Sequence, residues 1–147
     1  MKKILVAVDF SEASEVALAQ ALELAEKLDS QLLLLHVLHD PAEAPGFYAS
    51  KKAGKKVLKN MEQAAAEMMA DFVAKHARKW KKLEARIVPG LPAEEVVRVA
   101  ADEKVDLVVV GTRGHTGVKR LLLGSVADKV IRACRCPVLS VHGDEKA

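Results

Sequence analysis

The sequence predicts a single α/β domain: a doubly wound, mainly parallel five-stranded sheet with helices on both faces. Three observations carry that prediction. Short apolar runs alternate with helix-patterned segments along the whole chain, the arrangement that right-handed crossovers turn into a parallel sheet. Several of the runs are apolar at every position, as strands covered on both faces must be. Half of the residues are apolar but only 3% are aromatic, so the core is made of Val, Leu, Ile and Ala, the usual filling between a parallel sheet and its helices.

The first strand is Ile4 to Val8, a continuous apolar run that stops at Asp9. Ser11 supplies an N-cap oxygen, and Glu12 and Glu15 suit the positive end of a helix dipole. Leu18, Ala21, Leu22, Ala25 and Leu28 then recur at helical spacing, predicting about five turns that end near Asp29. Leu32 to Leu38 is a second buried strand, closed by Asp40, Pro41, Pro45 and Gly46, residues that interrupt regular structure. From roughly Ser50 to Trp80 the period is helical again, with Val57, Met61, Ala65, Met68 and Phe72 expected on the buried stripe and lysines opposite. Met61, Met68 and Met69 read as core filler.

Leu83 to Val88 alternates Leu83, Ala85 and Ile87 with Glu84 and Arg86, which suggests a third strand at a sheet edge. Pro89, Gly90 and Pro92 turn the chain into a helix from about Ala93 to Glu103, with Val96, Val99 and Ala100 inward. Leu107 to Val110 is the fourth strand, ended by Gly111. Ser125 is read as the cap of a last helix bearing Val126, Val130 and Cys134. Pro137 to Val141 is the fifth strand, and the tail from Gly143 is expected to fray.

The 147 residues suit one domain, and no internal repeat or low-complexity segment breaks them. Charge is nearly balanced, 23 basic against 20 acidic residues. The cations gather at Lys51 to Lys59 and Arg78 to Lys82, read as solvated helix surface, so nucleic acid is not the expected partner. Cys134 and Cys136 have neither redox nor zinc spacing and read as reduced thiols. No run approaches the ~20 apolar residues of a membrane span, and the first residues carry no secretory pattern, so a soluble, cytoplasmic protein is expected.

Chemistry concentrates between the fourth strand and the last helix, where the chain reads G-T-R-G-H-T-G-V-K-R-L-L-L-G-S from Gly111 to Ser125. Gly111 and Gly114 allow backbone N–H groups to approach a phosphate, and Gly124 and Ser125 open a helix whose positive end favours the same anion. Arg113 is a candidate phosphate contact, His115 a weaker one, and Lys119 and Arg120 suit the rim. The loop is not a Walker A motif, which needs Lys after its last glycine, nor the G-x-G-x-x-G of dinucleotide folds.

The loop resembles the G-x2-G-x9-G-[S/T] motif of the ATP-binding branch of the universal stress protein family. The start I-L-V-A-V-D-F-S, His36 and Val37, the run V-V-V-G-T-R-G-H and the ending C-P-V-L-S-V extend that resemblance over essentially the whole chain, 1–147. It implies a Rossmann-like fold of the adenine nucleotide alpha hydrolase kind. It also implies ATP, with Mg²⁺, as ligand: Asp9 near adenine and ribose, the Val37 backbone at the adenine edge, and Val110 lining the base side. Gly111, Gly114, Gly124 and Ser125 would hold ribose and phosphates, with Val126 adding a backbone N–H. Family resemblance further implies a homodimer joined through the last strand, Pro137 to His142, whose Val- and Leu-rich edge is itself a liability in a monomer.

His36 reads as a satisfied histidine within the sheet, and Asp9 and Ser125 have a plainer use as helix caps. Three functions remain open. The first is a nucleotide-dependent regulatory binder, with at most slow ATP hydrolysis. The second is an adenosine nucleotide hydrolase or phosphoryl-transfer enzyme, for which no general base stands out beside the phosphates. The third is an interaction protein indifferent to nucleotide, docking through the basic helix.

Overall fold

The computed structural model describes residues 1–39, 51–112 and 123–143, with the backbone alone at 51–53. The elements alternate in chain order: β1 (Lys3–Ala7), α1 (Glu12–Leu28), β2 (Gln31–Leu38), α2 (Lys51–His76), β3 (Leu83–Pro89), α3 (Pro92–Asp102), β4 (Leu107–Thr112), α4 (Ser125–Ala133) and β5 (Val138–His142). The sheet has the order β3-β2-β1-β4-β5, and all four pairings are parallel. Chain order reverses beside β1, which pairs with β2 on one side and β4 on the other. A doubly wound sheet opens a crevice at such a point, beyond the carboxyl ends of its strands.

Central β1 explains why its sequence is uniformly apolar. Ile4, Leu5 and Val6 are all 0% exposed, because side chains of alternate parity enter two different cores. On one face Ile4, Val6 and Val8 join Ala17, Leu18 and Ala21 of α1 and Met69 and Phe72 of α2. On the other, Leu5 joins Leu33 and Leu35, Val96 and Val99 of α3, and Val130 of α4. Truncating any one of these leucines to alanine costs about 2–5 kcal/mol, through lost burial and the cavity left behind.

Local signals account for the helix ends. Ser11 caps α1 by accepting a hydrogen bond from the Ser14 N–H at 3.3 Å. Its other end closes at Asp29 in the left-handed conformation, φ 53°. Trp80 lies beyond α2 and donates its indole N–H to the Ser30 carbonyl at 3.2 Å, so the helix is shorter than its pattern suggested. β3 is a partly exposed edge strand, as its alternation predicts. At the other edge Pro137 precedes β5 and still serves the ladder through its carbonyl, which accepts from Val108 N–H at 3.0 Å.

Four local expectations need correction. The buried stripe of α2 runs through Ala65, Met69 and Phe72, whereas Val57 is 41% and Met68 51% exposed. Gly111 does not end β4: the strand continues through Gly111 and Thr112, pairing with Val141 and His142 of β5. Ser125 does not cap α4, since the N-cap is Gly124 and Ser125 is the first helical residue. Cys134 is not carried within α4 but is its C-cap, in extended conformation. The expected breakers at 40–46 and the tail beyond Gly143 lie outside the described residues.

Candidate functional site

A cleft of about 480 Å³ opens beyond the carboxyl ends of β1, β2 and β4, within the size range of small-molecule sites. Asp9, Val37, Val110, Gly111, Gly124, Ser125 and Val126 all line it. Arg113 and Gly114 lie outside the described residues, as do His115, Lys119 and Arg120. The structure therefore brings together residues 117 positions apart in the chain, on three strand ends and one helix start.

The apolar wall arises from the parity of β2 and from α3. Leu35 and Val37, two residues apart, face the same side of the sheet and pack with Val96 of α3, and Pro92 from the first turn of α3 lines the same cleft. Val96 is legible in the sequence only as an inward helix residue; its position on the turn that overhangs β2 makes it a cleft residue as well. Ala7, Val8, Ser14, Leu123 and Ala127 also contribute. Of these, only Ser14 carried a polar signal, because it stands one turn into a helix that follows a strand-terminal aspartate.

Asp9 is exposed yet tightly held. Its Oδ1 accepts from Ser11 N–H at 2.9 Å and Ser14 hydroxyl at 2.6 Å, and also from the Ser11 hydroxyl. The Ser14 oxygen in turn accepts from Asp9 N–H at 2.8 Å. This loop of reciprocal bonds fixes the carboxylate at the start of α1, where its charge also meets the positive end of the helix dipole. Asp9 thus does contribute to capping, and the same bonds hold it in the cleft.

Gly111 is demanded by close approach rather than by turn geometry. A Cβ there would lie 2.5 Å from the Ala13 carbonyl oxygen and 2.7 Å from its carbon, so α1 can cross the end of β4 only over a glycine. At the facing side the N-cap of α4 is Gly124, which has no side chain to cap the helix, and no side-chain cap bond is found there among the described residues. The N–H groups of the first turn of α4, Ser125 to Ala127, have no intrahelical partners, and these three residues line the cleft. Such a terminus attracts anions. The cleft is therefore polarised, with a carboxylate at β1, an anion-favouring helix start at α4, and an apolar wall between them.

Neighbouring groups take quieter roles. His36 donates or shares its Nδ1 hydrogen with the Val8 carbonyl at 2.7 Å, a satisfied histidine as expected. The two cysteines are free thiols, and burial pushes Cys134 up to about 11, which leaves it protonated and unreactive at neutral pH. Among the described residues, no group of three or more His, Cys, Asp or Glu could hold a metal ion, and no helix is long and apolar enough to cross a membrane.

Comparison with known proteins agrees with this architecture. The sequence model described as the universal stress protein family matches residues 1–142. Universal stress protein MJ0531 of Methanocaldococcus jannaschii is 36% identical over 99% of this chain and 84% of its own length. The solved structure of protein MJ0577, from the same organism, superposes with a TM-score of 0.82 at 31% identity, covering 99% of this chain and 98% of that one. A universal stress protein solved in complex with cAMP has a TM-score of 0.66 at 26% identity, covering 97% and 98%.

Proposed function

The chain belongs to the universal stress protein family, and on that premise we propose that it is a cytoplasmic, homodimeric regulatory module that binds ATP in the cleft at the end of the sheet. The observation that carries the reading is the polarised cleft. Its apolar wall of Val37, Val96 and Val110 suits a purine, and the glycine-capped start of α4 suits phosphates. The Asp9 carboxylate accepts hydrogen bonds from sugar hydroxyls and repels phosphate, which orients the nucleotide with its ribose toward β1. The family member solved with cAMP adds support for an adenine nucleotide as the ligand class.

In this reading Gly111 and Gly114 let the backbone approach the ligand, with Arg113 neutralising phosphate charge and Val126 offering its N–H. Mg²⁺ arrives on the phosphates of ATP, since its hard oxygen preference is met there. Turnover is at most slow, because Asp9, the carboxylate of the cleft among the described residues, stands at the ribose end rather than beside the γ-phosphate. The dimer forms through β5, whose residues Val138 to Val141 are only half-buried at the sheet edge.

Calorimetric titration with ATP tests the ligand, and sedimentation tests the assembly. Saturation below millimolar ATP, at one nucleotide per chain, is the expected result; no saturation at millimolar ATP removes the reading. A species of 15.9 kDa alone at micromolar concentration removes the dimer and leaves the nucleotide site standing.

A further inference from the structure

The residues on either side of Asp9 are fastened on the sheet face opposite the cleft's apolar wall. Val8 enters the core beneath α1 and α2, and its carbonyl, beyond the last β1–β2 register pair Ala7–Leu35, lies 2.7 Å from His36 Nδ1. A carbonyl can only accept, so Nδ1 carries the proton whether the ring is neutral or cationic. Phe10 follows Asp9 with φ 65°, a left-handed conformation that is uncommon for a bulky side chain and persists only where surrounding contacts over-determine it. Those contacts are visible: the Phe10 ring lies on the His36 ring at 4.5 Å between centroids and meets the edge of Phe72 at 5.7 Å.

One imidazole therefore holds the chain at both neighbours of Asp9, by a hydrogen bond to Val8 and by ring contact with Phe10. We propose that His36 and Phe10 form a clasp that positions Asp9, and so sets nucleotide affinity, although neither side chain lines the cleft. The inference rests on the reading that an adenine nucleotide occupies that cleft. Ser11 and Ser14 fix the carboxylate relative to α1; the clasp fixes it relative to the ends of β1 and β2, where Val37 forms the wall. The two sets of bonds together place Asp9 and the wall in one frame. Preorganisation of this kind strengthens binding by lowering the ordering cost.

Three variants separate positioning from mere core filling. His36→Leu keeps bulk and loses the donor. His36→Asn places its amide nitrogen where Nδ1 stands and restores the bond to Val8. Phe10→Gly accepts the left-handed backbone without strain but removes the ring. Relative to wild type, ATP affinity should fall about tenfold in His36→Leu, recover to within about threefold in His36→Asn, and fall about fivefold in Phe10→Gly. The long-range ¹H–¹⁵N spectrum of the wild type should show His36 protonated at Nδ1.

Wild-type ATP binding with unchanged affinity in both His36→Leu and Phe10→Gly overturns the clasp and leaves the nucleotide reading intact. Absence of binding in the wild type overturns both. Equal losses in His36→Leu and His36→Asn, with wild-type affinity in Phe10→Gly, also overturn it, since neither the bond to Val8 nor the ring contact with Phe10 then sets affinity. If His36→Leu does not fold, Phe10→Gly decides: a folded protein with weakened ATP binding upholds the clasp, and wild-type affinity sinks it.

Discussion

The two ends of the sheet solve the problem of exposed strand termini in opposite ways. At the amino ends, opposite charges close on one another. Asp106 accepts from the backbone N–H groups of Lys2 and Lys3 at 2.7 and 3.0 Å. Glu103 takes Lys3 Nζ at 3.0 Å and Arg86 at 2.9 Å, and Arg86 also holds Glu84. At the carboxyl ends, Asp9 is fastened by serines of its own loop, the facing helix start is capped by Gly124, and Val110 and Gly111 near the end of β4 border a cleft. Ligand chemistry can operate at one end and not the other: satisfied ion pairs stitch the fold at the amino ends, while a helix start capped by glycine offers its N–H groups at the carboxyl ends.

The contrast breaks most visibly at Gly111. Gly111→Ala drives a methyl against the Ala13 backbone and is expected to cost about 2–3 kcal/mol of stability, read by urea unfolding; a cost under half of that would mean α1 is free to shift. Next in size, Ser125→Asp adds an anion to the first turn of α4. It should weaken ATP about tenfold while raising stability by about 0.3–1 kcal/mol through the helix dipole. Opposite signs in calorimetry and thermal unfolding would mark the cleft mouth as a functional rather than structural terminus.

Ser14→Ala is a smaller perturbation. It removes the buried hydroxyl that accepts from Asp9 N–H and donates to the Asp9 carboxylate, and should cost about 1 kcal/mol together with a measurable loss of ATP affinity.

The amino end gives the smallest and most specific effect. Hydrogen bonds from Lys3 and then Lys2 hold Asp106 below its ordinary value, and those from Lys3 and then Arg86 do the same for Glu103. A carboxylate depressed in the folded state stabilises fully above its ordinary range, and that contribution is lost as pH falls through the depressed value. Thermal midpoints should therefore decline below about pH 4. Asp106→Asn should flatten the decline and leave ATP affinity unchanged; a change in affinity would mean the two ends are coupled.

How much of this was legible in the sequence varied with the range of the interaction. α1 could be read almost to the residue, because Ser11, the acidic first turn and the apolar period are local signals. The order of strands and helices followed from alternation, and the edge position of β3 from its half-polar pattern. The phase of α2 was misread because Met68 and Met69 both satisfy three- and four-residue spacing, and only packing against Phe72 and Ala65 selects Met69. Gly111 reads in the sequence as a strand end and a phosphate-approach residue, because no local pattern reveals that α1 passes over it. Asp9, Val37 and Val110 could be found from their strand ends and from the resemblance to the family. Pro92 and Leu35 could not, since their place in the cleft depends on how α3 lies across the sheet.

The proposed adenine nucleotide lies between Asp9 and the start of α4. Backbone amide spectra recorded during an ATP titration test it most directly. Asp9, Val37, Val110 and Gly124 to Val126 are expected to shift together with one saturation curve, while Lys2, Lys3 and Asp106 stay in place. Shifts confined to the surface of α2 or to β3, with the cleft residues unmoved, would contradict it.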